Sequence, residues 1–399
     1  MRKTINIGDL GTIITGKTPP TTNKNYYGDY AVFIKPTDIS EQSKYTYETE
    51  EMYSKLAAER YESSLIPKGA ICVPCIGTIG TKMTMAPCDC YTNQSINSIV
   101  CNDRYDNEYV YYLIKNFLPG LKSYNLGTAS GREYVSKSNF EKIELVAEQD
   151  KTIQKKIGEF LSRYDSLIEN HQKQIKLLEE AAQRLYKEWF VDLRFPGHES
   201  TNIIDGVPEG WEKKPVKTII ELQSGYAFKS SAFMEDGIYK IVTIKNVKDG
   251  AFDGDNVSKI ASIPEKMPKH CILEDGDILL SLTGNVGRVC IVNGKNYLLN
   301  QRVAKLKSAY KAYTYCLFRS RDMFIEVNNL ANGAAQQNVS PIRIGEMKIL
   351  IPEKKWLDDF ERTVSNYILG IITLQSQIRF LTEARDRLLP KLMSGEIAV

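Results

Sequence analysis

Two stretches of the chain repeat apolar residues in alternating steps of three and four, the spacing of the core positions of a coiled coil. We call each series of core positions a seam. No proline or glycine stands on either seam, so both stretches predict long helices. Each helix needs an apolar partner, and we therefore expect the two to pair with each other. The seam positions are Ile157, Leu161, Tyr164, Ile168, His171, Ile175, Leu178, Ala182, Leu185 and Trp189 in the first helix, and Leu357, Phe360, Val364, Tyr367, Ile371, Leu374, Ile378, Leu381, Arg385, Leu388 and Leu392 in the second.

The regions outside these helices alternate short apolar runs with turn-forming residues, which is typical of α+β domains. In the first region the pattern predicts strands at 5–14, 31–34 and 70–76 and a short helix at 108–116. The first long helix is predicted to begin at Asp150 and to end near Phe190. These patterns divide the chain into a first domain at 1–148, a helix at 149–195, a linker at 196–205, a second domain at 206–352 and a second helix at 353–399.

The second domain repeats the first. Residues 69–80 align with residues 276–287 at a shift of 207, with three glycines in register. This indicates a duplicated unit of domain and helix. Both helices meet the second domain through short connections, which predicts an antiparallel pair. The predicted fold class is α+β, with two pseudo-twofold-related domains separated by a pair of long antiparallel coiled-coil helices, the first seam spanning roughly 50 Å.

The two similar domains, here called heads, would be held apart by the helix pair as a spacer. This arrangement suggests a ligand that has its own repeat and twofold axis, and duplex DNA fits this description. Half-sites on one face of a duplex recur every helical turn, roughly 34–36 Å, which a spacer of this length can accommodate. The alternative is a non-enzymatic coiled-coil scaffold whose two heads bind protein partners. The seams alone would favour that alternative.

Candidate DNA contacts lie in polar loops, several of which recur in both domains. Glycines let backbone N–H groups approach phosphate, and Asn, Gln and Arg side chains can read base edges. Tight hairpins with a chance cation, or amides that brace a loop, would give the same pattern. The candidates are Lys17, Thr18, Lys35, Thr37, Thr78, Lys82, Asn93, Gln94, Ser130 and Arg132 in the first domain, and Tyr226, Lys229, Lys245, Asn246, Thr283, Asn285, Arg288, Gln301, Arg302, Gln337 and Asn338 in the second.

A nucleotide-binding loop is suggested by residues 11–18, which match G-x-x-x-x-G-K-[ST]. We reject this site because Pro19 and Pro20 follow, where a P-loop must open a helix. Only three histidines are present, and none is paired in sequence with a candidate nucleophile. His171 is interpreted as a polar residue that sets the register of the coiled coil.

A zinc site is the other catalytic or metal possibility, formed by Cys72, Cys75, Cys88 and Cys90. Against it, the first two cysteines align with apolar strand positions, Leu279 and Leu282. Cysteine behaves well as a small buried apolar residue. We therefore expect no bound metal, although the spacing leaves zinc open.

Composition adds three constraints. A formal charge of +3, from 52 basic and 49 acidic residues, is too small to indicate a nucleic-acid partner by itself. Eight scattered cysteines are expected to be reduced thiols. No apolar run is long enough to span a bilayer, so a cytoplasmic protein is expected.

Several motifs resemble those of a known family, the specificity subunits of Type I restriction-modification systems. The sequence contains no Asn-Pro-Pro-Tyr, Asp-Pro-Pro-Tyr or Phe-x-Gly-x-Gly motif of an amino-methyltransferase. The resembling segments are Gly206-Val207-Pro208-Glu209-Gly210-Trp211, Leu185-Tyr186-Lys187-Glu188-Trp189-Phe190, Leu389-Pro390-Lys391-Leu392-Met393-Ser394-Gly395-Glu396-Ile397 and Gly16-Lys17-Thr18-Pro19.

This resemblance implies a non-catalytic DNA-recognition subunit with two target-recognition domains. Each domain would read one half of a bipartite, asymmetric DNA site, and the helices would set the spacer between the halves. The implied partners are double-stranded DNA, two modification (methyltransferase) subunits and restriction (endonuclease and translocase) subunits. S-adenosylmethionine, ATP and Mg²⁺ would be bound by those partners and not by this chain.

Overall fold

The computed structural model describes residues 2–77, 79–125, 127, 133–255, 257–331 and 338–399. The chain forms two compact units. Unit 1 holds Met1–Asn170 and Arg379–Val399, and unit 2 holds His171–Ile378. Each unit therefore contains one α+β head and parts of both long helices, and the predicted α+β class is confirmed.

Unit 1 is built around a head of short strands and helices. Its strands are β1 (Arg2–Asn6), β2 (Gly11–Thr15), β3 (Tyr27–Gly28), β4 (Ala31–Ile34), β5 (Met52–Tyr53), β6 (Ile71–Pro74), β7 (Thr84–Met85), β8 (Tyr91–Thr92), β9 (Ile96–Cys101) and β10 (Glu144–Glu148). Its helices are α1 (Lys55–Arg60), α2 (Asn107–Phe117) and α3 (Lys137–Glu141), followed by the long helix α4 (Lys151–Tyr186).

Unit 2 has a head of the same kind. Its strands are β11 (Ile203–Ile204), β12 (Val207–Pro208), β13 (Glu212–Pro215), β14 (Glu221–Ser224), β15 (Tyr239–Val242), β16 (Ser258–Ile260), β17 (Ile272–Leu273), β18 (Ile278–Ser281), β19 (Val289–Ile291), β20 (Tyr297–Leu299), β21 (Val303–Lys307) and β22 (Lys348–Ile351). Its helices are α5 (Lys311–Arg319), α6 (Arg321–Ala331) and α7 (Pro341–Gly345), followed by the long helix α8 (Lys354–Ser394).

The first sheets of the two heads share one topology. Unit 1 has a sheet of order β2-β9-β6-β7, and unit 2 has the corresponding order β14-β21-β18-β19. A second sheet in each head contains one parallel pair, β4 with β8 and β15 with β20. Strands β6 and β18 are buried along their whole length, which explains why they appear in the sequence as continuous apolar runs. The shared order supports the duplication inferred from the sequence.

The long helices pack against each other in antiparallel fashion within each unit. In unit 1, Ile157 and Leu161 near the start of α4 share a core with Leu389 and Leu392 near the end of α8. In unit 2, the rings of Trp189, just after α4, and Phe360, near the start of α8, lie 5.8 Å apart. The predicted antiparallel pairing is therefore confirmed, and none of the predicted seam side chains is exposed.

An aromatic cluster closes the core of unit 2 where the first long helix ends. The rings of Phe190 and Phe360 lie 5.0 Å apart, as do those of Phe195 and Trp211. The α-helix ends at Tyr186, and a wider π-helical turn continues it through Val191. This turn allows Trp189 and Phe190, which are adjacent in sequence, both to be buried.

Three predicted elements differ from the structure in their bounds. The strand predicted at 5–14 is wrong, because a 3₁₀ turn at Ile7–Leu10 separates β1 from β2. The Asp9 carboxylate closes this turn by accepting a hydrogen bond from the Asn6 N–H at 2.8 Å. The strand predicted at 70–76 is shorter, and the helix predicted at 108–116 begins one residue earlier, with Asp106 as its N-cap. The predicted domain boundaries stay predictions.

We expect Phe360→Ala to lower the free energy of unfolding by about 3–5 kcal/mol, because it would leave a cavity in a fully buried aromatic cluster. Phe380→Ala is the matched control, since Phe380 lies on the same helix and is 58% exposed. It should change stability by less than about 0.5 kcal/mol. Urea unfolding followed by tryptophan fluorescence measures both, and equal destabilisation would contradict the packing described for α8.

Candidate nucleic-acid interface

Two loops of unit 1 meet in very close backbone contact at one end of its first sheet. Gly16 follows β2, and a Cβ atom built on it would lie 2.1 Å from the Thr92 carbonyl oxygen, so only glycine fits. The Lys17 N–H donates to the same oxygen at 2.9 Å. The Thr18 hydroxyl donates to the side-chain oxygen of Gln94. Four candidates, Lys17, Thr18, Asn93 and Gln94, are therefore brought together.

Unit 2 has the same arrangement. A Cβ atom built on Gly225, which follows β14, would lie 2.1 Å from the Asn300 carbonyl oxygen. The Tyr226 N–H donates to the Leu299 carbonyl at 2.9 Å, and the Gln301 N–H donates to the Tyr226 carbonyl at 3.0 Å. Tyr226 is thus held beside Gln301 and Arg302.

A third loop extends this contact in each head. The Cys75 N–H donates to the Ser95 carbonyl at 2.7 Å in unit 1, and the Leu282 N–H donates to the Arg302 carbonyl at 3.0 Å in unit 2. The Thr283 hydroxyl then donates to the Asn338 side chain at 2.9 Å. The glycine loops that follow β6 and β18 therefore lie beside the loops already described.

The loop after β4 or β15 completes the set. The Asn93 N–H donates to the Ile34 carbonyl, and the Asn300 N–H donates to the Val242 carbonyl, both at 3.1 Å. We use the term loop row for the resulting group of loops in each head. It comprises residues 16–19, 35–38, 75–77, 79–82 and 93–95 in unit 1, and residues 225–229, 243–246, 282–288, 300–302 and 338 in unit 2.

Most of the described candidates in the loop rows are open to solvent and can donate or accept hydrogen bonds. Side chains of these types can contact phosphates and base edges. The exposed candidates are Lys17, Thr18, Thr37, Gln94, Lys229, Lys245, Asn285, Gln301, Arg302 and Asn338, and the half-buried ones are Lys35, Lys82, Asn93, Tyr226 and Arg288. Thr78, Ser130, Arg132 and Gln337 lie outside the described residues.

Some candidates have side chains that are already engaged within their own loops. Asn246 is 1% exposed, accepts the Thr243 N–H at 2.8 Å and donates to the Asp253 carbonyl at 2.9 Å. The Asn93 side chain accepts the Ser95 N–H at 3.0 Å. These contacts favour a bracing role for both amides. Thr283, which is also buried, bonds Asn338 as described above.

Lys35 is the candidate cation of its loop row that is ion-paired among the residues the structure describes. Its ammonium lies 2.8 Å from a Glu50 carboxylate oxygen and 3.1 Å from a Glu51 oxygen. Both partners are on the same head. Neutralisation by two carboxylates weakens any attraction of Lys35 to phosphate.

The segment that resembles a P-loop has a different structure. Residues Gly11–Thr15 form strand β2, and a loop follows in which the Tyr53 hydroxyl donates to the Lys17 carbonyl at 2.6 Å. The next helical element is a short 3₁₀ turn at Lys24–Tyr26. No helix opens after Thr18 to receive a phosphate, in agreement with the rejection of this site.

The four cysteines considered for zinc are mostly buried as neutral thiols. Burial raises the pKa of Cys72 and of Cys75 to about 12, and the Cys75 thiol donates to the Val73 carbonyl at 3.4 Å. Cys90 is buried and Cys88 is exposed. Within the described ranges, no group of three or more His, Cys, Asp or Glu side chains is arranged to hold a metal ion.

Two glycines that hold the loop rows together, Gly16 and Gly225, were not among the site residues predicted from the sequence. Gly16 and Gly225 follow the first strand of the first sheet in each head, and their recurrence at matching places was the available signal. Their importance depends on the backbone that faces them, which the sequence does not give.

We expect Gly225→Ala to separate the loops that Gly225 joins, because the added Cβ cannot share space with a carbonyl oxygen. Protection of the Tyr226 and Gln301 amides from hydrogen exchange should fall by about tenfold or more. Gly345→Ala is the control in the same unit, since the nearest atom to its Cβ would lie 3.5 Å away. Unchanged protection in Gly225→Ala, measured by mass spectrometry, would refute this reading of the loop contact.

Comparisons with known proteins all point to one protein family. The sequence profile described as "Type I restriction modification DNA specificity domain" matches residues 2–180 and 208–364. The specificity subunit of the Type I restriction enzyme MjaIX from Methanocaldococcus jannaschii is 28% identical over 407 residues, which cover 98% of this chain and 93% of that protein. The HindI specificity subunit from Haemophilus influenzae is 38% identical over 158 residues, 38% of this chain and 33% of that protein.

A solved structure shares the fold. The S subunit of a Type I restriction-modification system from M. genitalium superposes with a TM-score of 0.57 at 16% identity, covering 98% of this chain and 96% of that one. No helix in the described ranges combines the length and apolar character needed to cross a membrane. The profile matches most of the chain, with one match in each head. The chain therefore belongs to the family of DNA specificity subunits of Type I restriction-modification systems.

Proposed function

We propose that each loop row binds one half of a bipartite, asymmetric DNA site and that the chain itself performs no catalysis. The observation that carries this proposal is the recurrence of one scaffold with different side chains. Both rows use a glycine in close backbone contact, yet Lys17 and Thr18 in unit 1 correspond to Tyr226 and Ala227 in unit 2. Equivalent frames with unlike side chains suit two half-sites of different sequence.

The long helices would determine the number of base pairs between the half-sites and provide docking surfaces for the other subunits. We infer two modification subunits, joined by restriction subunits, which would bind S-adenosylmethionine, ATP and Mg²⁺. Docking is supported by large apolar side chains that are exposed on the helices, including Leu177 (64%), Leu369 (61%) and Phe380 (58%). The same partners would place the chain in the cytoplasm. A protein-binding scaffold is not favoured, given the family.

We expect deletion of the gene to remove one bipartite, adenine-methylated motif from the methylome of the host, because the modification subunits would lose their sequence guide. Long-read sequencing of host DNA with and without the gene measures this directly. Reintroducing the gene should restore the motif. A methylome that stays unchanged would show that the chain does not direct methylation.

We expect insertion of seven residues into each long helix, after Asn170 and after Ile378, to lengthen the non-specific gap. Seven residues add about 10 Å of helix, comparable to the rise of about three base pairs. Both half-site sequences should stay the same. The control inserts seven residues after Thr201, in the exposed linker outside both helices, where the gap should not change. An altered half-site in the helix variant would contradict the division of roles between heads and helices.

A further inference from the structure

One buried carboxylate in unit 1 connects the head to both long helices. The Tyr112 hydroxyl on α2 donates to Asp165 on α4 at 2.5 Å. The other oxygen of Asp165 is ion-paired with Arg385 on α8, and both charged side chains are 6% exposed. Three elements therefore meet at Asp165.

Unit 2 has a comparable contact between its head and the first long helix. The Tyr315 hydroxyl on α5 donates to Glu179 on α4 at 2.5 Å. Arg319, one turn later on α5, lies 3.7 Å from the second oxygen of Glu179 and is also ion-paired with Asp249. In both heads, a helix that packs on the long helices thus donates a tyrosine hydroxyl to a carboxylate of α4.

The duplication does not account for this likeness. The helix seams align at a shift of 203, which places Ile157 on Phe360 and Asp165 on Ile368, a buried apolar residue. Both carboxylates lie on the first helix, at positions that the repeat does not pair. The two contacts are therefore separate features of this chain.

The protonation states suit a directional contact in unit 1. Burial raises the pKa of the Tyr112 hydroxyl, which therefore remains a donor. Burial also raises the pKa of Asp165, but the Lys115 ammonium and the Arg385 guanidinium oppose this effect, and the net pKa lies below its ordinary value. The result is a charge-assisted hydrogen bond inside a protein core.

Such a bond restricts the head in a way that apolar packing does not. Apolar contact is non-directional and tolerates small sliding and rotation, whereas a buried hydrogen bond to a charged group is lost when the head shifts by about 1 Å. Leaving a buried carboxylate without its donor is strongly unfavourable. The bond to Asp165 therefore favours one position and one angle of the first head on α4. In unit 2, burial raises the pKa of Glu179, and the geometry of its bond to Tyr315 is what favours one position of the second head.

We propose that Asp165 and Glu179 are positioning residues that restrict the complex to a single gap length between the two half-sites. This inference rests on the proposed function. The base contacts lie in the loop rows, and so these residues should affect the gap and leave both half-site sequences alone.

The test uses Tyr112→Phe and Tyr315→Phe in the full chain, expressed in the host with its partner subunits. Each variant removes one hydroxyl and keeps the aromatic packing. We expect methylation of sites that carry both half-sites with a gap one base pair longer or shorter to rise by at least about tenfold. The half-site sequences should not change.

The controls remove a buried hydroxyl elsewhere in each head. Tyr91→Phe in unit 1 loses a hydrogen bond to the Ala58 carbonyl, and Tyr297→Phe in unit 2 loses one to the Gly254 carbonyl. Neither bond involves a long helix or a candidate DNA contact. Both controls should methylate only the wild-type gap, even where stability falls.

The outcomes separate this inference from the proposed function. A single unchanged gap in both tyrosine variants would overturn the positioning role while leaving the bipartite site intact. Loss of all methylation in both variants, with the controls active, would also overturn it, because the hydroxyls would then serve stability alone. A wild-type motif that is not bipartite would instead overturn the proposed function.

Discussion

Burial of the helix seams is the interaction on which the rest of the structure depends, because the apolar seam of each long helix would otherwise be exposed to water. In unit 1 the start of α4 packs with the end of α8 and with α2 of the head in one continuous core. In unit 2 the end of α4, the start of α8 and α5 share another. The head is thus fixed to the helices by the same apolar surface that pairs the helices. A change on the seam would disturb both.

Apolar burial provides stability, and a few polar contacts fix the positions of the loops and of the heads on the helices. The loop rows depend on backbone hydrogen bonds and on glycines at Gly16 and Gly225. The junctions between head and helix depend on Tyr112 and Tyr315. These contacts are local and mostly buried, so the side chains at the exposed ends of the loops can differ between the heads without disturbing the frame.

The sequence was sufficient to predict the long helices and their pairing, because apolar periodicity indicates them. It also predicted the duplication, because three glycines recur at one constant shift. It was insufficient where structure depends on atoms distant in sequence. Apolar periodicity also misses the local turn that Asp9 closes with Asn6 inside an apparent strand. The tertiary contact of Asp165 with Arg385, 220 residues away, has no periodic signature either. The loop candidates were found as residue types, but which of them brace a loop, such as Asn246, depends on burial.

The chain path through unit 1 has a consequence for synthesis. The guanidinium of Arg2 donates to the carbonyls of Met393 and Leu392, at 2.9 and 3.0 Å. Strand β1 and the segment Arg379–Val399 thus belong to one unit although the whole of unit 2 is translated between them. During translation, the core of unit 1 cannot be completed until all of unit 2 has been synthesised, whereas unit 2 can fold from one continuous stretch of chain. A premature stop near the end of the message would therefore damage the head that was made first.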